Sequence, residues 1–320
     1  MTSALDEQTV VPAATWRAAS AAHARRADAL TAVRREAQAA GRKHAIEDFL
    51  YTYYPTRASH LRRWHPGPGL VLAGDAAGPG TGTGTGTGAP HAAWRWYRRV
   101  SGGVTLDVES FLAERGETVR YVRTLLAGTA SRPGSFGCFG LHEWAMVYRD
   151  REAGRDHRHP LPLRLGHAGT DAVVESHPVR CSHFDAYRFF TPEARDRNAL
   201  RPTRATQPTL EQPGCLHANM DLYKWCQKLG PAVPGDLLLD AFELAREIRY
   251  TDMAASPYDV SPYGVEPVAI ETPEGKAEYV RRQRDFADRS ATLRRRLLAV
   301  SSTLLSAAPP EPPPPPPPRY

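Results

Sequence analysis

Apolar residues recur at spacings of three and four through most of this 320-residue chain, and that period commits it to amphipathic helices. Trp16, Ala19, His23, Ala27, Leu30, Val33 and Ala37 form one stripe, which predicts a single long helix from Trp16 to about Ala40 closed by Gly41. Val119, Val122, Leu125 and Leu126 mark the core side of two helices predicted over 107–130. Leu141, Trp144, Ala145 and Tyr148 define a helix entered through a glycine-rich approach. Helices are further predicted over Arg57–Pro66, from Leu216, over 236–250 (Leu237, Ala241, Leu244, Ile248), and from about Pro273 to Leu305.

Alternation, the strand signal, is confined to short runs. Gly69–Ala73, Leu161–Leu165 and Val268–Ile270 read as short strands. Asp171, Val173, Glu175 and His177 share one parity, and after Pro178 so do Val179, Cys181, His183, Asp185 and Tyr187. The expectation is a hairpin that gathers Glu175, His177, Cys181, His183 and Asp185 on one surface. The fold class that follows is α+β and mainly helical, with amphipathic helices around a small antiparallel sheet. The domain reading is a disordered stretch at 1–12, one catalytic domain over 13–306, and a proline-rich tail at 307–320. A Gly-Thr repeat at 78–90 reads as a flexible insertion, since its composition buries no core.

No apolar run approaches the roughly 20 residues of a membrane helix, and no signal-like core opens the chain, so the expectation is a cytoplasmic protein without a membrane partner. Cys138, Cys181, Cys215 and Cys226 form no Cys-x-x-Cys pair and read as free thiols. The net charge of +6 is uneven: 16–43 and 281–296 each carry +5, so the rest of the chain is net acidic. Two basic helices of this kind can track phosphates, with Arg294, Arg295 and Arg296 as the cations. Arg62, Arg63 and Trp64 lie in an aromatic, basic segment able to stack bases, or to form core.

The best local pattern for chemistry is His183-x-Asp185. With a distant histidine it would make the facial triad that holds ferrous iron with open positions. His217 is the natural third ligand; Glu175, His177, the pair His142 and Glu143, and the pair His44 and Glu47 are further candidates. His217, Asp221, Lys224 and Lys228 fall at spacings of four, three and four. That stripe is either a solvated helix face or an aspartate that orients a histidine one turn away.

The runs Glu47–Tyr54, Leu61–Gly67, Gly137–Tyr148, Ser182–Asp185, Glu211–Ala218 and Ile270–Lys276 resemble an actinobacterial family usually named 3-methyladenine DNA glycosylase. The resemblance spans roughly residues 40–290 without the Gly-Thr insertion. It implies hydrolysis of the N-glycosidic bond of an alkylated purine in double-stranded DNA, without a cofactor. Such a reaction needs the base held between aromatics and a carboxylate to activate water. Glu175, His183, Asp185, His217 and Asp221 are the candidate catalytic residues. The helix-hairpin-helix signature of other glycosylases is incomplete: Pro213-Gly214-Cys215-Leu216 lacks the second glycine, though Asp236 and Asp240 lie near the expected place for its aspartate. The second expectation is a metal-dependent enzyme, with iron or zinc on His183, Asp185 and His217, acting on a small molecule.

Overall fold

The computed structural model describes residues 9–74, 88–151 and 161–307. Most of the Gly-Thr repeat, the His- and Arg-rich run at 155–159 and the proline tail lie outside them. In chain order the elements are β1 (Thr9–Val11), α1 (Ala13–Leu30), α2 (Ala32–Ala39), α3 (Phe49–Thr52), α4 (Ala58–Leu61), β2 (Leu70–Ala73), β3 (Tyr97–Val100) and β4 (Gly103–Leu106). They continue with α5 (Val108–Ala130), α6 (Leu141–Ala145), α7 (Gly166–Glu175), α8 (Phe184–Tyr187), α9 (Pro192–Arg195), α10 (Gln207–Leu210), α11 (Leu216–Leu229), α12 (Gly235–Ala254) and α13 (Pro273–Ser306). The chain is thus mainly helical α+β. No helix among the described residues is long and apolar enough to cross a membrane.

The sheet is mixed, not antiparallel, and has the order β1-β2-β4-β3. β1 runs parallel to β2, while β2–β4 and β3–β4 are antiparallel. Residues 9–11 therefore belong to the sheet and not to a disordered start. Gly103 pairs with Ala73, and a Cβ there would lie 2.0 Å from the Leu72 carbonyl oxygen, so only glycine lets β4 approach β2.

α11 is the centre of the fold. It packs on α12, α5 and α13, and α13 lies across α5, α11 and α12. Leu216, Met220, Leu222, Tyr223, Cys226 and Leu229 are all buried on one half of the helix, and His217 and Asp221 on the other half are buried as well. One continuous core joins Leu50, Tyr54 and Leu61 from before the Gly-Thr repeat to Phe111, Leu125, Trp144 and Phe242 from after it. α13 starts where Pro273 sits in its first turn and the Thr272 hydroxyl accepts the Gly275 amide at 3.0 Å.

Several expected elements differ. The first long helix breaks at Thr31, whose hydroxyl donates to the Ala27 carbonyl at 2.8 Å, and Val33 beyond the break is exposed. Residues 108–130 form one helix, and only Ala58–Leu61 of the 57–66 segment is helical. Leu161–Leu165 makes a single bridge, Leu163 with Tyr258, and Val268–Ile270 is irregular. The hairpin is absent. Residues 166–175 are α7, where the adjacent Val173 and Val174 are both buried, which no half-buried strand allows. Residues 176–182 are irregular and α8 follows.

Candidate functional site

The α11 face predicted either as solvated or as a histidine with its orienting aspartate is buried. His217 is 4% exposed and Asp221 is fully enclosed, and two rings of ionisable groups are built around them. The first uses α6 and α12. Gly140, at φ 72°, turns the chain into α6 and carries His142 and Glu143 inward. His142 Nε2 lies 2.8 Å from Asp252 Oδ1, and Arg249 donates to Asp252 Oδ2 and to Glu143 Oε1, both at 2.8 Å. The Arg249 guanidinium lies 3.9 Å from the Phe49 ring centroid. The His217 ring meets that of His142 edge-on at 4.4 Å, and its nitrogens take no hydrogen bond among the described residues. Burial opposes the charge on His142, yet Asp252 holds its pKa well above the ordinary value. Burial and the neighbouring His142 push His217 well below it, so His217 is neutral.

The second ring uses α8, α10 and α11. His183 stands at the head of α8, behind a segment held by Asn198: the Cys181 amide donates to Asn198 Oδ1 at 2.7 Å, and Asn198 Nδ2 donates to the Cys181 carbonyl at 2.9 Å. His183 Nε2 lies 3.3 Å from Glu211 Oε1 and 3.4 Å from Asp221 Oδ2, off the hydrogen-bond line to both. Gln207 Nε2 donates to Glu211 Oε1 at 2.5 Å, while Tyr121 donates to Gln207 Oε1 and so fixes the amide. Tyr54 donates to Asp221 Oδ1 at 2.8 Å, and Lys224 bridges Asp221 Oδ2 at 2.9 Å and Asp185 Oδ2 at 2.8 Å. Burial disfavours a charged His183, but Asp221 and Glu211 raise its pKa to about 9. Burial likewise opposes ionisation of Asp221, and Lys224 and His183 outweigh it, so its pKa falls below the usual carboxylate range.

The ligand atoms of His142, His217 and Asp252 all lie within 4.8 Å of one another, as do those of His183, Glu211 and Asp221. A cavity of about 260 Å³ reaches this cluster. Phe49, Tyr53, Phe189 and Tyr258 give it aromatic walls, and Glu143, Asp185, His217 and Arg249 give it a polar side.

Of the residues singled out from the sequence, the fold brings His183, His217 and Asp221 together. The His183 and His217 ring centroids are 5.3 Å apart. His142 and Glu143, also singled out, lie beside His217, whereas Glu175 is separated from them. Glu175 is exposed on α7 and bonds Tyr148 and Arg149. Asp185 sits on the cavity wall, but its carboxylate is taken by Lys224, Arg188 and Arg204, so His183, Asp185 and His217 do not form one ligand set. Phe184, beside Asp185 on α8, is half-buried under Arg204.

The cations assigned to DNA are mostly occupied within the protein. Arg294 is 2% exposed and donates to Asn219 Oδ1 at 2.7 Å, so it is no phosphate ligand. Arg296 pairs with Asp240 and Asp236, which also occupies both candidate glycosylase aspartates. Arg62 pairs with Asp28, Arg63 lies over Trp94, and Trp64 packs edge-on to His91. Of the five arginines, Arg62, Arg63 and Arg295 are exposed.

Sequence reading missed Asp252 and Glu211 as site residues. Asp252 had a signal: it extends the apolar stripe Ala241, Leu244, Ile248 by one more turn, where a carboxylate needs an internal partner. Glu211 lies between α10 and Pro213 and had no periodic cue. Comparison of the chain with protein-family models, with curated proteins and with solved structures finds no match.

Proposed function

We propose that this protein is a metal-dependent enzyme acting on a small molecule, with the metal held by His142, His217 and Asp252. The observation that carries this reading is a buried set of two histidines and one carboxylate, one of whose histidines, His217, forms the wall of the aromatic cavity.

The residues fit such an ion. His217 is neutral and its ring nitrogens are uncommitted, the state a ligand needs. His142 Nε2 and Asp252 Oδ1 face each other at 2.8 Å, and an ion on both atoms would replace the proton that Asp252 holds on His142. Arg249 fixes the second oxygen of Asp252, the outer support that metal carboxylates commonly have. Two imidazoles and one carboxylate leave coordination positions open, and ferrous iron or zinc there supplies Lewis acidity or, for iron, oxygen chemistry. The chain's own part is to admit a substrate of limited size between Phe49, Tyr53, Phe189 and Tyr258, and to exclude water behind it.

This reading is better supported than repair of duplex DNA because Arg294 is buried and Arg296 is paired with Asp236 and Asp240, which breaks up the basic triplet expected on phosphates. The test is metal content. Chelator-treated protein reloaded with Fe²⁺ or Zn²⁺ should bind an ion that His217→Ala and Asp252→Asn lose. Binding equal to wild type in both variants sinks the assignment. Salt-dependent duplex binding with release of an alkylated base by the metal-free protein would establish the repair reading in its place.

A further inference from the structure

We infer that His183, Glu211 and Asp221 form a second divalent-cation site, of the zinc class, beside the first. This goes beyond the proposed function, which needs only the ion on His142, His217 and Asp252, and it stands on separate residues.

The first argument is spacing. In a tetrahedral site with bonds of about 2.0–2.1 Å, neighbouring ligand atoms are about 3.3–3.4 Å apart, because a tetrahedron's edge is about 1.63 times its radius. His183 Nε2 lies 3.3 Å from Glu211 Oε1 and 3.4 Å from Asp221 Oδ2. Both contacts are misaligned for hydrogen bonds, and the three donor atoms all lie within 4.8 Å of one another.

The second argument is the state of His183. It is 0% exposed, and neither ring nitrogen has a hydrogen-bond partner. A buried imidazole without partners is costly, and an ion on Nε2 removes part of that cost. The remaining donors are already oriented. Tyr54 holds the far oxygen of Asp221, Oδ1, as the outer shell of a metal site does, while Gln207 and Lys224 donate to Glu211 Oε1 and Asp221 Oδ2 themselves and would share those oxygens with the ion.

His217 and Asp221 stand one turn apart on α11 and serve different sites, so the two ions would be neighbours across the His217 ring.

The test is to count Zn²⁺ on the full chain. Chelator-treated protein is dialysed to equilibrium against Zn²⁺ alone, and bound metal is measured. Wild type should hold about two equivalents, with Glu211→Gln losing one and Asp252→Asn the other. A Glu211→Gln protein that keeps the wild-type count overturns the inference. A wild-type count of one that Asp252→Asn loses and Glu211→Gln keeps also overturns it, and leaves the proposed function standing. A count of one with the reverse pattern supports the second site and removes the first. Should Glu211→Gln fail to fold, anomalous scattering at the zinc edge from wild-type crystals decides: a peak at bonding distance from His183 Nε2 supports the site, and none overturns it.

Discussion

Arg249→Met tests whether the first ring is a true buried ion network. Arg249 is 3% exposed and is the cation between Glu143 and Asp252, both buried. Methionine keeps most of the apolar stem but leaves Glu143 without a cation and Asp252 with His142 alone. Breaking a buried pair in this way costs about 3–5 kcal/mol. The lost contact with the Phe49 ring adds about 1 kcal/mol. The expected loss is therefore about 4–6 kcal/mol, a large part of a typical domain stability of about 5–15 kcal/mol. Urea unfolding of metal-free protein at neutral pH, followed by tryptophan fluorescence, measures it. Adding Glu143→Gln should return about 1–3 kcal/mol, since one uncompensated charge is removed. Zn²⁺ should also narrow the deficit, because an ion on Asp252 takes over part of the role of Arg249. A loss below about 1 kcal/mol in Arg249→Met would refute the reasoning, for it would mean that buried Glu143 loses nothing when left without a cation.

Two further outcomes follow from groups away from the site. Burial first, and then the charges of His91, His23 and Arg63, push the pKa of His65 from 6.5 to about 3. The folded state thus prefers neutral His65, and its contribution is full above pH 6.5 and is lost as pH falls toward 3. Lowering the pH from 7 to 5 should cost wild type about 2 kcal/mol more than His65→Gln, and equal losses in urea would exclude the effect. On α13, Arg294→Gln should cost about 2–3 kcal/mol by orphaning buried Asn219, while Arg295→Gln stays within about 0.5 kcal/mol of wild type. Thermal melts showing the two variants alike would contradict the burial of Arg294.

The helices were legible because their information is local. α11, α12 and α13 each carry a stripe at 3.6-residue period, and all three lie where that period places them. The sheet was not legible beyond β2, because three- and four-residue strands carry too few alternations and β1 is defined only by a partner some sixty residues away. The opposite error occurred at 171–187, where polar and apolar residues alternate by chance across the end of α7, an irregular segment and α8. Within the site, the one-turn spacing of His217 and Asp221 held because it is a property of one helix. The pairing of His183 with Glu211, and of His142 with Asp252, is set by how α6, α10 and α12 dock on α11, and no local pattern encodes docking.

His142 and Asp252 stand 110 residues apart in the chain yet touch at 2.8 Å. In polymer terms that contact closes a long loop, and bringing its ends together costs roughly 4 kcal/mol of chain entropy beyond a constant. No contact of that range forms until the intervening helices have collapsed onto one another. The first ring therefore comes into existence only with the completed domain. A nascent chain that stops short of α12, or a fragment cut between α6 and α12 and separated, retains its helical propensity but has no site to load.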